Sequence, residues 1–350
     1  MSFFGNSNTT AAAVADVEVA DPPTDSVSSM AFSPQGDYLA VGSWDNSVRV
    51  YEVSPEGRTR GLAMTSHQGP VLSVCWSSDG TKVFSGSADN TARMLDLQTG
   101  ASQQVAHHDG AIKGLRFFDS PQGGILVTAS WDKTVKYWNL QQAQPIAILN
   151  LPERCYALDV VYPLLVVGCA ERQIHIVNLT NPTTIHKTVL SPLKWQTRTV
   201  CCFNSANGFA VGSIEGRVAM QWIEDKDASS NYSFRCHRQD AVPNKKDQVL
   251  VYAVNDVKFH PVHSTVFSTI GSDGTVHFWD RDARTRLKSF DPAPGPISTS
   301  CFNRSGTIFA YAVSYDWHKG YIGMKPGMPN KVMLHVVKDD EVKKRTSVKR

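Results

Sequence analysis

"GSWDNSVRVYEV", residues 42–53, holds a Gly-Ser lead, an acidic turn residue (Asp45), an asparagine, and then a stretch with Val48 and Val50 in alternation. That is a tight turn feeding a β-strand. The pattern returns as "GSADNTARMLDL" (86–97) and "ASWDKTVKYWNL" (129–140). Weaker copies are "GCAERQIHIVNL" (168–179), "GSIEGRVAMQWI" (212–223) and "GSDGTVHFWD" (271–280), with a degenerate one in "VSYDWHKG" (313–320). Asp45, Asp89, Asp132, Glu171, Glu215, Asp273 and Asp316 mark the turns, at intervals of 44, 43, 39, 44, 58 and 43 residues.

A period near forty with a Trp-Asp dipeptide is the signature of WD40 repeats, each a four-stranded propeller blade. The segments before each turn agree. "VSSMAFSP" (27–34) alternates into a proline turn, and "DYLAVGS" (37–43) is a short apolar run into Gly-Ser. Seven copies imply an all-β, seven-bladed WD40 β-propeller over residues 14–337, whose closure removes exposed sheet edges. The last blade needs an outer strand from a chain end, and the alternating "VADVEVA" (14–20) supplies it. Residues 1–13, small and polar, read as disordered. Residues 338–350, "KDDEVKKRTSVKR", read as a charged tail: a solvated end, or else a nuclear-import or RNA contact.

Composition narrows the class without naming a function. Lys and Arg total 35 against 32 Asp and Glu, and a net charge of +3 does not by itself imply nucleic-acid binding. Seven cysteines, odd in number and without Cys-x-x-Cys, sit mostly in apolar runs, as reduced thiols of a cytosolic or nuclear protein do. No secretory leader is visible, and no apolar run approaches the ~20 residues of a membrane span.

The turn carboxylates invite a catalytic reading that their repetition argues against. The third blade has the fullest set, His108, Ser130, Asp132 and Trp138, and the second a partial one in His67 and Asp89. His, Ser and Asp are what a hydrolase uses, but here they recur around a ring with no Gly-x-Ser-x-Gly elbow. They are expected to form a structural hydrogen-bond network. No phosphate loop is present, and the histidines of "HPVH" (260–263) lack a third ligand. The expectation is a non-enzymatic protein with no cofactor, no metal and no small-molecule substrate.

The 58-residue interval carries about one extra hairpin's length between blades five and six. It contains "SFRCHRQD" (233–240), where Cys236 and His237 alternate to opposite sides of an outer strand. That leaves Arg238, at the start of a polar loop on the face that also carries the turns, as an anchor suited to a partner carboxylate. By the same geometry "PERCYALD" (152–159) places Arg154 and Tyr156 on this top face, and "SPLKWQTRTV" (191–200) places Lys194, Trp195 and Arg198 there. Trp317 and His318 occupy the seventh turn. Lys133 and Arg172, beside turn carboxylates, are weaker candidates, because ordinary surface charge explains them as well. Basic residues interleaved with aromatics suit an acidic peptide or single-stranded nucleic acid.

"PERCY", "NPTTI", "SPLKWQTR", "GSIEGRV", "FRCHR", "FHPVH" and "FNRSGTIFAYAVSYDWHKG" lie outside the generic repeat pattern. With them the chain, from about residue 25 to about residue 340, resembles the messenger-RNA export factors of the nuclear pore. The opening "MSFFG" is similar to fungal members. The resemblance implies an adaptor in the nucleus and at the nuclear pore complex, shuttling to the cytoplasm; a closed ring needs no second copy to satisfy its edges, so the chain is expected to be monomeric apart from its partner. The resemblance also implies docking of the acidic hairpin segment of a GLFG-repeat nucleoporin across the top face, contact with RNA, and a carboxylate-anchoring role for Arg238. The alternative is the sister propeller of the spindle-assembly checkpoint, which uses the same face for kinetochore and kinase motifs.

Overall fold

The structure, a computed structural model, describes residues 15–242 and 245–343. The expected disorder of residues 1–13 and the end of the charged tail lie outside the described residues.

Seven four-stranded antiparallel sheets succeed one another along the chain. Blade one comprises Val27–Phe32, Tyr38–Ser43, Ser47–Val53 and Thr59–Ser66, innermost to outermost. Blade three repeats the order with Ile112–Ser120, Gly123–Ser130, Thr134–Trp138 and Ala147–Asn150. Inner strands are largely buried: all six residues of Val71–Trp76 and of Leu164–Cys169 lie out of solvent. The outermost strand Ile185–Leu190 instead alternates half-buried with exposed positions. The core is a succession of clusters between blades. All seven cysteines are free thiols, six of them buried.

The ring closes at blade seven. Its strands Ile297–Phe302, Ile308–Val313 and Lys331–Val336 are joined on the outside by Val17–Glu18, with Val17 opposite Leu334. Val19, Leu39, Ile308 and Leu334 share one buried cluster, so blades one and seven are packed as any neighbouring pair.

Each turn between second and third strands places the residue after the acidic marker in the left-handed region. Asn46, Asn90, Lys133, Arg172, Gly216, Gly274 and Trp317 all have positive φ, from 59° at Trp317 to 73° at Gly274. Asn and Gly accept that conformation readily, whereas Lys133, Arg172 and Trp317 adopt it against a steric cost.

Two expectations are corrected. Residues 238–248 are not a polar loop: Arg238–Val242 and Lys245–Val251 pair as an antiparallel hairpin between blades five and six. The tail does not begin as a solvated end. Asp339–Val342 forms a helical turn with Glu341 and Val342 buried, Val342 packing in the cluster of Phe278 and Phe309.

Candidate functional site

The site is built from one backbone irregularity used seven times. Every innermost strand begins with a β-bulge, where the register against the second strand slips by one residue: at 27/29, 71/73, 112/114, 155/157, 197/199, 254/256 and 297/299. A bulge re-aims the unpaired side chain. The seven skipped residues are Ser28, Leu72, Lys113, Tyr156, Arg198, Asn255 and Ser298, and all line one cavity of about 280 Å³ at the top mouth of the central channel. Trp44, Trp131 and Trp317, from turns on the same face, form its collar. Trp44 and Trp317 stack with ring centroids 3.8 Å apart.

Two cations face this mouth. Burial pushes the Lys113 ammonium down to about 8, with the neighbouring Arg198 adding to the effect. Arg198 is likewise lowered by burial, partly offset by Asp316, and donates to the Asp316 carbonyl at 2.7 Å. Asp316 is committed elsewhere. Its carboxylate accepts from Asn255 Nδ2 at 2.9 Å, from His318 Nδ1 at 2.6 Å, and from the Ser272 hydroxyl.

Around the mouth lies an exposed rim. Trp195 is 61% and Trp131 45% exposed, and Arg154 and Lys194 are exposed with no ion pair among the described residues. Tyr156, Arg198 and Trp317 are thus brought together at the mouth, with Arg154, Lys194 and Trp195 on the rim beyond them. His318 is held by Asp316. Lys133 bonds Glu153 at 2.8 Å, and Arg172 donates to the Leu193 carbonyl at 3.1 Å. Arg238 is half-buried. Its Nε donates to the Glu215 carbonyl at 2.9 Å, and a terminal nitrogen lies 3.5 Å from the Glu215 carboxylate.

The turn networks sit beneath this face. In blade three His108 Nδ1 meets Asp132 at 2.8 Å and Nε2 meets Thr128 Oγ1 at 2.7 Å, while Trp138 Nε1 donates to Thr128 Oγ1 at 2.9 Å. Ser130 does not touch His108. It caps the turn, accepting from Asp132 N and donating to Gly110 O. Thr128, inside an apolar run, is the member the sequence reading omits. Burial works to raise the Asp132 pKa, yet hydrogen bonds from His108 and Thr134 hold it far below the carboxylate range; burial keeps His108 itself low and neutral. A neutral imidazole with both nitrogens engaged is a brace.

Blade six carries a second complete set, and it corrects the reading of "SFRCHRQD". His237 is fully buried, with Nδ1 2.9 Å from Asp273 and Nε2 3.0 Å from Thr269, to which Trp279 Nε1 also donates at 3.0 Å. His237 is therefore this blade's counterpart of His108, and the hairpin insertion hides its spacing from the turn. His237, Asp273 and His277 also form a cluster compact enough for an ion. The nitrogens of His277 are engaged by Ser289 and Thr275, so hydrogen bonds already occupy the set. His260 is similarly used, by Gly306 O and by the backbone N–H groups of Val262 and His263.

Sequence reasoning missed Lys113, Asn255, Trp44 and Trp131. The signal was present: "AIKGL", "RCYAL", "QTRTV" and "AVNDV" align residue for residue at the strand start, and the third letter names the mouth residue.

A family profile described as "WD domain, G-beta repeat" matches residues 19–52, 59–96, 101–139 and 248–280. The chain is 55% identical to the "Poly(A)+ RNA export protein" of Schizosaccharomyces pombe, over 99% of each chain. It is 50% identical to the "mRNA export factor GLE2" of Chaetomium thermophilum, over 96% of this chain and 94% of that one. It is 46% identical to "Protein Rae1" of Drosophila melanogaster, over 93% of this chain and 95% of that one.

Proposed function

Because the chain belongs to the mRNA export factor family of WD40 propellers, we propose that it is a non-catalytic adaptor of mRNA export acting at the nuclear pore and shuttling to the cytoplasm. Its top face takes an acidic segment of a GLFG-repeat nucleoporin, and single-stranded RNA is held by the same basic, aromatic character. The observation that carries this is the rim itself. Arg154 and Lys194 are exposed cations without an ion pair among the described residues, and Trp195 and Trp131 are exposed aromatics. Aromatic and cationic anchors around a preformed concavity are what a docked acidic peptide uses. Arg238 contributes at the edge, where a partner carboxylate would share its guanidinium with Glu215. Two of the three named relatives are export proteins by name, which favours this reading over a checkpoint propeller.

Calorimetric titration with the acidic nucleoporin segment tests the proposal. Binding is expected to weaken at least tenfold in the double variant Arg154→Glu, Lys194→Glu, whose substitutions are on exposed positions and leave the fold intact. Equal affinity for wild type and double variant would move the partner off this face. No binding by a folded wild type would remove the nucleoporin reading altogether.

A further inference from the structure

The channel mouth differs chemically from the rim around it. Among the described residues, buried polar side-chain atoms without a hydrogen-bond partner are few, and three belong to residues that line this one cavity: Thr197 Oγ1, Asn255 Oδ1 and Trp317 Nε1. Thr197 and Asn255 are 1% and 7% exposed. An unmet buried polar group is costly, and the two of these that can donate, the Thr197 hydroxyl and the Trp317 indole N–H, point to an acceptor as the ligand. Lys113 adds an ammonium with no partner among the described residues, and Arg198 spends only one nitrogen, on a backbone carbonyl. The one carboxylate lining the mouth, Asp316, has a side chain with no exposed surface and is saturated by its own partners. Unmet donors and positive charge therefore outweigh unmet acceptors.

Size and collar define the ligand further. A cavity of about 280 Å³ lies at or below the range of drug-sized pockets, and takes a side chain or a small acid rather than a nucleotide. Its apolar lining includes Leu72, Tyr156 and the stacked pair Trp44 and Trp317, surfaces for methylene groups.

We propose that the channel mouth seats a single carboxylate carried on a short carbon chain, neutralised by Lys113 and Arg198 and accepting a hydrogen bond from Trp317 Nε1–H. The acid is either a glutamate or aspartate side chain of a docked polypeptide or a free dicarboxylic acid; the first source rests on the function proposed above, the site itself does not.

The full chain, labelled with nitrogen-15, reports directly through its tryptophan indole resonances, with that of Trp317 identified by Trp317→Phe. Titration with glutarate is expected to shift the Trp317 indole saturably. The shift should be absent with glutaramide, and glutarate affinity should fall at least tenfold in Lys113→Met but not in Lys113→Arg. Should Lys113→Met not fold, Leu72→Glu provides a second test, since it places a carboxylate in the mouth and should abolish glutarate binding. A missing shift, an unaltered affinity in these variants, or equally tight binding of inorganic phosphate overturns the proposal. The nucleoporin segment then separates the sources. Replacing its acidic residues singly by amides will identify one whose carboxylate moves the Trp317 indole if a side chain occupies the mouth, whereas simultaneous binding of segment and glutarate assigns the site to a free acid. Glutarate binding with no segment binding would sustain this site and defeat the partner reading.

Discussion

Blade three and blade seven answer the same architectural demand in different ways. Blade three is completed within one stretch, residues 112–150, and its turn is braced from beneath by His108, Thr128 and Trp138. Blade seven is assembled from both ends of the chain, and its turn carboxylate, Asp316, has no such histidine. Asp316 instead bonds Asn255 and Ser272 of blade six and His318 of its own turn. Where the repeat is regular, the turn side chains are consumed in holding the blade. Where it degenerates, the Trp317 indole is left to line the channel mouth, beside Lys113 and Arg198 that the bulges of blades three and five supply. The bulge common to all blades and the departure from the repeat at blade seven together mark the place where a partner can be recognised.

The sharpest way to break that contrast is to unbrace blade three. Asp132 accepts from His108, from the backbone N–H of Asp109 and Thr134, and from the Thr134 hydroxyl. Asp132→Ala strands these donors, and the stability loss is expected to be about 3 kcal/mol in denaturant unfolding. His237→Ala should cost a similar amount in blade six. Neither should move the Trp317 indole resonance. An unchanged unfolding midpoint would show that the turn set is not a brace.

Blade seven should show a smaller effect with a pH signature that blade three lacks. His335, on its third strand, has Nδ1 2.8 Å from Asp16 beside the N-terminal strand and Nε2 2.9 Å from Glu341 of the C-terminal helical turn. Burial disfavours its cation, but hydrogen bonds to both carboxylates prevail and its pKa is pushed up to about 9. A folded-state pKa above the unfolded value of about 6.5 contributes stability that is present below that value and lost as pH rises through about 9. Wild-type stability is expected to fall by about 2 kcal/mol between those limits relative to His335→Gln, in unfolding curves taken across the range. Parallel profiles would mean that the two chain ends are held by packing alone.

The contrast also explains what could be read in advance. The seven turn markers and the strand-turn order fix a propeller because they recur with one period, and periodicity survives the loss of any single copy. Lys194, Trp195 and Arg154 were legible as large or charged residues at strand starts. Thr128 and His237 were not. Thr128 is one polar residue inside an apolar strand, and His237 is separated from its Asp273 by a hairpin that breaks the spacing. Lys113 and Asn255 escaped for another reason: alternation assigns a strand residue to one of two faces, and a bulge directs it to neither. Arg238 looked free because its partner, Glu215, lies 23 residues earlier in the chain.

The smallest stability effect is expected where the functional effect is largest, at Trp317. Its φ of 59° is a left-handed conformation that a bulky residue adopts at a cost of about 1–2 kcal/mol, and its buried Nε1 goes unpaired. Against these stands the stack on Trp44, for which such pairs contribute about 0.5–1.5 kcal/mol beyond area. Trp317→Gly relieves the backbone, loses the stack, and adds freedom to the unfolded chain, terms of similar size and opposing sign. Its unfolding free energy should therefore stay within about 1 kcal/mol of wild type. Partner affinity, by contrast, should fall at least tenfold, because the mouth loses both a wall and a donor. The same exchange at Lys133, also left-handed but only rim-exposed, should leave affinity within a factor of about three, the scale of one exposed ion pair. A loss of stability at Trp317 comparable with that of Asp132→Ala would make the indole a pillar of the last blade; an unchanged affinity would show that strain at this turn serves closure of the ring and not recognition.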